Sequence, residues 1–307
     1  MILSGLTGCQ ADEPTETELR PYYYHCEPMG FDADILQELK EARLEDQRIA
    51  DLETFALALI DCLKDTRPEI RDGVGYEFLT FILRSQGNPK VGMAALSNLS
   101  EIKSELLNTL REDDPANVGP PFAALVLSEI ARTDRIRGWM SKEDRTAFVL
   151  AAVDYMKSVK DYRGYVDEEG WRHGVAHGAD WLLQLSLNKK LTSHELNLIM
   201  SAVSSQINAD GGHAYIHGEP ERLAKVIINI AARGHLDEMG WAAWLAAISD
   251  PAPYEKWSDI FKSESGLAQR HNVKAFLYAL YVNAERSKNE DVRALLPRLI
   301  TQINTIP

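Results

Sequence analysis

Thr192-Ser193-His194-Glu195-Leu196-Asn197-Leu198-Ile199-Met200-Ser201-Ala202-Val203 is the stretch that decides the fold class. Thr192 followed three residues later by Glu195 has the form of a capping box, in which each side chain satisfies a backbone N–H left free by the first helical turn. Behind it, Leu196, Ile199, Met200, Val203 and Ile207 recur at three- and four-residue spacing, one apolar stripe on a helical period. The pattern predicts a helix over 192–208. The same grammar returns along the chain. Ser141-Lys142-Glu143-Asp144 opens a helix striped by Phe148, Ala152, Tyr155 and Val159. Asn88-Pro89, Asp114-Pro115, Gly119-Pro120-Pro121, Asp210-Gly211-Gly212 and Asp250-Pro251 punctuate the units. Strand-like alternation is almost absent from residue 32 to 304. An all-α protein follows, with about a dozen helices of ordinary length. Successive antiparallel helix pairs without a sheet predict an α-α superhelix, a HEAT- or armadillo-like solenoid. An α/α toroid is the alternative.

The chain has 307 residues and a formal net charge of −13, with 45% hydrophobic and 26% charged residues. No run of Lys and Arg offers a phosphate backbone a basic surface, so nucleic acid is not an expected partner. No apolar run is long enough to span a bilayer. Leu6-Thr7-Gly8-Cys9 resembles a lipobox, in which Cys9 is acylated, and the polar stretch from Gln10 to Glu18 has the composition of a tether. Residues 1–30 are therefore expected to be a lipobox-like N-terminus and tether, and 31–307 one helical domain. Contact with a membrane would run only through Cys9. The expected location is the cell envelope, lipid-anchored and facing the periplasm, with a cytoplasmic protein as the alternative. Cys26 and Cys62 could pair in an oxidising compartment. They have no C-x-x-C spacing for a zinc knuckle.

Gly170-Trp171-Arg172-His173-Gly174-Val175-Ala176-His177-Gly178-Ala179-Asp180-Trp181 holds the densest chemistry. On a helix over 168–187, His173, His177 and Asp180 would project from one face, and such groups are costly to bury unless paired or bound. An antiparallel helix at 192–208 would return the loop 210–219 to the same rim. Arg163, His173, His177, His213, His217, Glu219 and Arg222 would then converge on a polar pocket around residues 163–222, with Asp180 further down the helix. Three uses of that cluster are open. His173 and His177 could ligate a divalent metal such as zinc, with Asp180 holding the second nitrogen of His177. A metal-free pocket could use histidine as general base and Arg163 or Arg222 as an anion clamp, with Trp171, Trp181, Tyr165 and Tyr215 as stacking walls. Alternatively, the cluster is a structural network, with Gly174 and Gly178 letting two helices pack closely. Arg71-Asp72-Gly73 is expected to form a salt bridge between helical units at a helix start or kink.

Several segments together resemble the bacterial domain-of-unknown-function family 2785. They are Ile70-Arg71-Asp72-Gly73-Val74-Gly75-Tyr76-Glu77, Asp161-Tyr162-Arg163-Gly164-Tyr165, the Gly-Trp-x-His-x-x-x-His-Gly-x-Asp core from Gly170 to Asp180, Gly218-Glu219-Pro220-Glu221-Arg222-Leu223-Ala224, and Phe276-Leu277-Tyr278-Ala279-Leu280-Tyr281. The resemblance spans roughly residues 50 to 285 and implies an all-helical, repeat-like protein without an established reaction. The functional expectation is a lipid-anchored binding or scaffold protein for a small molecule, glycan or peptide. A hydrolase using His/Asp chemistry, with or without metal, is the alternative.

Overall fold

Capping chemistry sets where the helices begin. The computed structural model describes residues 24–42, 48–49, 51–85 and 96–307, and within them the elements are almost entirely helical. They are α1 (Ala33–Glu41), α2 (Leu52–Ala58), α3 (Pro68–Ile70), α4 (Glu77–Ser85), α5 (Leu99–Thr109), α6 (Gly119–Arg137) and α7 (Lys142–Ser158). They continue as α8 (Gly174–Ser186), α9 (Ser193–Ser204), α10 (Glu219–Ala231), α11 (Glu238–Ile248), α12 (Glu264–Arg286), α13 (Glu290–Arg293) and α14 (Leu296–Thr305). The Thr192–Glu195 capping box is formed in both directions, and Ser141 caps α7 by accepting from the Asp144 N–H at 3.0 Å. α6 begins with proline where a missing N–H is harmless and ends at Gly138 in the left-handed conformation. Cys9 and the rest of the lipobox-like segment lie outside the described residues.

α6, α8, α10 and α12 form a row in which each packs on the next, while α7 packs on α8 and α9, and α5 on α6. α8 sits in the middle of this row and is buried almost all round, from Val175 through Leu185. Its glycines explain the fit. A Cβ on Gly178 would lie 3.0 Å from Tyr155 Cε1 and 3.1 Å from Met156 Sδ, and one on Gly174 would lie 3.2 Å from Val159 Cγ1. Bare backbone on α8 thus faces α7, serving close helix packing and not a ligand. At the far end of the row, Asp134 accepts from Arg145 at 2.6 and 3.0 Å, from Asn188 at 2.9 Å and from the Met140 N–H at 2.8 Å. This network ties the ends of α6 and α8 to the start of α7. Arg233 donates to the carbonyls of Ser186, Asn188 and Leu191, supplying a cation where α8 ends.

The expected helix over 168–187 starts six residues late. Residues 165–166 and 170–171 instead form a two-stranded antiparallel hairpin, with Tyr165 opposite Trp171 and Val166 opposite Gly170. Glu168 (φ 68°) and Gly170 (φ 75°) take left-handed backbone in its turn, which a helix cannot contain. His173 (φ 46°) is the residue before α8 and not part of it. Cys26 and Cys62 form a disulfide, and the Cys26 N–H bonds to Asp65 at 2.8 Å, so the chain is fixed to the helical body before residue 30.

Gly178→Leu would drive a side chain into Tyr155 and Met156. Overpacking of this kind costs about 1–3 kcal/mol, enough to outweigh the gain in helix propensity, and a lowered midpoint in urea unfolding is the expected result.

Candidate functional site

The first turns of α6, α8 and α10 meet at one end of the central row. His177, in the first turn of α8, places Nδ1 at 3.1 Å from the Pro121 carbonyl of α6 and packs edge-on against Phe122. His173 places Nε2 at 3.1 Å from the His217 carbonyl and 3.6 Å from Glu219 Oε1, at the start of α10. A carbonyl only accepts, so both of these imidazole nitrogens carry the proton. The Trp171 ring stacks on His173 with centroids 4.3 Å apart. His217 lies over Gly164 so closely that a Cβ there would sit 2.2 Å from its Nδ1. Glu219 Oε2 accepts from the His217 N–H at 3.0 Å, while Glu219 Oε1 and His217 Nδ1 are buried without a hydrogen-bond partner.

His173, His177, His217 and Glu219 are therefore brought together as expected, but their chemistry differs from the expectation. Asp180 does not orient His177; it is ion-paired with Arg222. Burial pushes the Asp180 carboxyl above its usual range, and Arg222 pulls it back. His213 stands apart, stacked on Tyr162 with its carbonyl held by Asn272 at 2.9 Å. Trp181 and Tyr215 are core side chains and offer no stacking wall, whereas Tyr165 and Trp171 remain half-exposed, edge to face at 5.2 Å. Among the described residues no group of three or more His, Cys, Asp or Glu is arranged to hold a metal ion. The His173 and His177 rings lie edge to face, 5.7 Å apart, and each spends one nitrogen on a backbone carbonyl. The donor set does not fit zinc, which takes at least three protein ligands.

Arg163 faces the other side of the hairpin. It is paired through two nitrogens with Asp161 and lies 3.8 Å from Glu169. There, a cavity of about 670 Å³ is lined by Arg67, Arg71, Arg163 and Arg172, by Glu69, Glu168 and Glu169, and by His25, Thr66, Pro68, Pro115, Ala116 and Val118. Arg71 pairs with its neighbour Asp72 at 2.8 Å, but also reaches the Glu169 carbonyl at 3.0 Å, anchoring the hairpin turn. Arg67, Arg172 and His25 did not emerge from the sequence as site residues. Arg172 lies inside the quoted core, and only knowledge that 170–173 is non-helical would have turned it away from its neighbours Trp171 and His173.

Burial holds the His173 imidazole down to about 4 and His177 down to about 3, both from 6.5. Their folded forms stay neutral where the unfolded chain takes up protons. Stability from these two groups is complete above about 6.5 and is lost as pH falls toward 4, at about 2–3 kcal/mol per unit for both together. Urea midpoints measured from pH 7 to 4.5 should fall accordingly. His177→Gln, which keeps a donor for Pro121, should remove roughly half of that slope; an unchanged slope would contradict the assignment.

Comparison with curated proteins and with solved structures yields no match. The family described as "Protein of unknown function (DUF2785)" matches residues 106–282, a span that leaves Arg71 outside and takes in the hairpin, α8 and Glu219. That match covers more than half of the chain, and the protein belongs to this family.

Proposed function

We propose that this protein is a ligand-binding protein whose site is the cavity beside the hairpin at 163–173, built on an α-α superhelix. The observation that carries the proposal is the cavity itself. Its volume of about 670 Å³ falls in the range of small-molecule sites, roughly 300–1,000 Å³. It combines apolar wall residues with several charged ones, the usual mix of a site that both buries and orients a ligand. The stepwise packing of α6, α8, α10 and α12 supports the superhelical build. Tyr165 and Trp171, half-exposed on the same hairpin, add aromatic surface suited to a glycan or peptide as well as to a small molecule.

The hydrolase alternative draws on Glu219 and His173, a buried carboxylate oxygen without a partner beside an imidazole. A general base works best with a pKa near the operating pH. An imidazole held at about 4 is a weak base at neutrality, which favours binding over catalysis. The envelope location is supported by the Cys26–Cys62 disulfide, since such bonds persist in oxidising compartments. No helix among the described residues is long and apolar enough to cross a membrane.

Thermal-shift measurements with three panels, uncharged saccharides, short peptides and small organic acids, test the binding proposal. A true ligand at a hundredfold excess over its Kd should add about 2.7 kcal/mol of stability, and silence in all three panels would overturn it. For location, native protein should migrate faster on non-reducing than on reducing gels, and membrane-derived protein should carry a diacylglyceryl adduct on Cys9. Protein with free Cys26 and Cys62 and an unmodified Cys9 would refute the envelope assignment.

A further inference from the structure

We propose that the cavity between α3 with the following Arg71 and the hairpin at 163–173 binds the oxyanion head of a small organic molecule, a carboxylate or a phosphate, through Arg71 and Arg172. This specifies the ligand class of the binding proposal above and rests on it.

The chain carries 46 acidic and 33 basic residues, yet this one cavity gathers four arginines and His25. Two of the arginines are already committed. Arg67 holds Asp65 through two nitrogens at 3.0 and 2.8 Å, and Arg163 holds Asp161 in the same manner. Arg71 and Arg172 are committed only in part: Arg71 holds Asp72 and the Glu169 carbonyl and lies over the Phe122 ring, and each keeps one nitrogen unpaired. The Arg71 side chain is 0% exposed, and its Nη1 is buried without a hydrogen-bond partner. The Arg172 side chain is 9% exposed and bonded to Glu169 at 2.9 Å through Nη2, while its Nε is likewise buried without a partner. A guanidinium has five N–H donors and cannot shed its charge, so each of these side chains keeps unused donors away from water.

The charges around Arg172 point the same way. Burial lowers its pKa, and the neighbouring charges of Arg163 and Arg71 lower it further, while Glu169 and Asp161 act in the opposite direction. The single Glu169 carboxylate serves both Arg172 at 2.9 Å and Arg163 at 3.8 Å. An added oxyanion would meet the spare donors and relieve the crowding, and planar or tetrahedral oxyanions match the guanidinium fork. Glu69, Glu168 and Glu169 on the same walls admit one anionic head and oppose an extended polyanion. Pro68, Pro115, Ala116 and Val118 offer apolar wall for the rest of the molecule.

Titration calorimetry at fixed ionic strength tests the proposal with malonate and inorganic phosphate as probes and malonamide as the uncharged control. Saturable binding of malonate alone assigns a carboxylate, of phosphate alone a phosphate, and malonamide should give no heat of binding. Arg172→Gln should weaken the binding anion about tenfold or more, the usual loss when a charge-assisted hydrogen bond is removed. Glu169→Gln removes the competing carboxylate and should tighten it several-fold, and it decides the matter if Arg172→Gln fails to fold. Neither anion binding while a saccharide or peptide from the panels does would overturn the anion site and leave the binding proposal standing. Silence from the anions and every panel would overturn both. Anion binding that ignores both substitutions would refute this cavity as the place.

Discussion

The approach of α7 to the backbone of α8 at Gly174 and Gly178 is the constraint on which the rest depends. Side-chain-free positions at a four-residue interval let Tyr155, Met156 and Val159 come within contact of the α8 backbone. That approach leaves α8 buried against α6, α7 and α10 at once. With three sides occupied, the chain entering α8 must arrive from the remaining end. His173 turns through left-handed backbone, and the preceding residues return as a hairpin and not as further helix. The hairpin is then fixed from outside by Arg71 on the Glu169 carbonyl and from inside by His217 over Gly164. Close packing in the core thus determines where the polar surface forms.

Two opposite solutions to burying nitrogen bases stand on either side of this hairpin. On the inner side, His173 and His177 are kept neutral by burial, each donating one N–H to a backbone carbonyl. Neutral imidazoles are inexpensive to bury once one donor is satisfied. On the outer side the groups are arginines, which cannot escape their charge by losing a proton. They are matched by nearby carboxylates at Asp65, Asp72, Asp161 and Glu169, but incompletely at Arg71 and Arg172. The inner side satisfies its two neutral imidazoles on backbone carbonyls while leaving Glu219 Oε1 and His217 Nδ1 unpaired, and the outer side sets its arginines around a cavity.

The sequence made the helices legible wherever capping and periodicity agreed. Thr192 and Ser141 mark the starts of α9 and α7 because their caps are local, requiring nothing from distant residues. It also located the convergence of His173, His177, His217 and Glu219, which follows from antiparallel helices joined by short loops. It misjudged the start of α8. Trp171, Arg172 and His173 fit a helical period, and the left-handed turn at Glu168 and Gly170 is stabilised by Pro68 and Arg71, about a hundred residues earlier in the chain. Helix propensity is a weak prior that such tertiary contacts override. A helical reading of 170–173 puts His173 on a metal-like face, hides Arg172 and points Asp180 at His177, whereas in the structure Asp180 pairs with Arg222 on α10.

The same geometry separates the site's likeness to a zinc helix from its substance. A helical pair of histidines binds metal when both rings present free nitrogens to one point, supported by a third ligand. Here only His177 lies on α8, and His173 reaches the rim from non-helical backbone, so their four-residue spacing loses its geometric meaning. What remains polar at the end of the row is a set of helix N-termini whose first turns present positive partial charge, together with the unpartnered Glu219 Oε1 and His217 Nδ1, and across the hairpin the buried guanidinium groups of Arg71 and Arg172. If the cavity binds an anion as proposed, the Gly170–Asp180 segment contributes to it through Arg172, the residue between Trp171 and His173 that the hairpin places in the cavity wall.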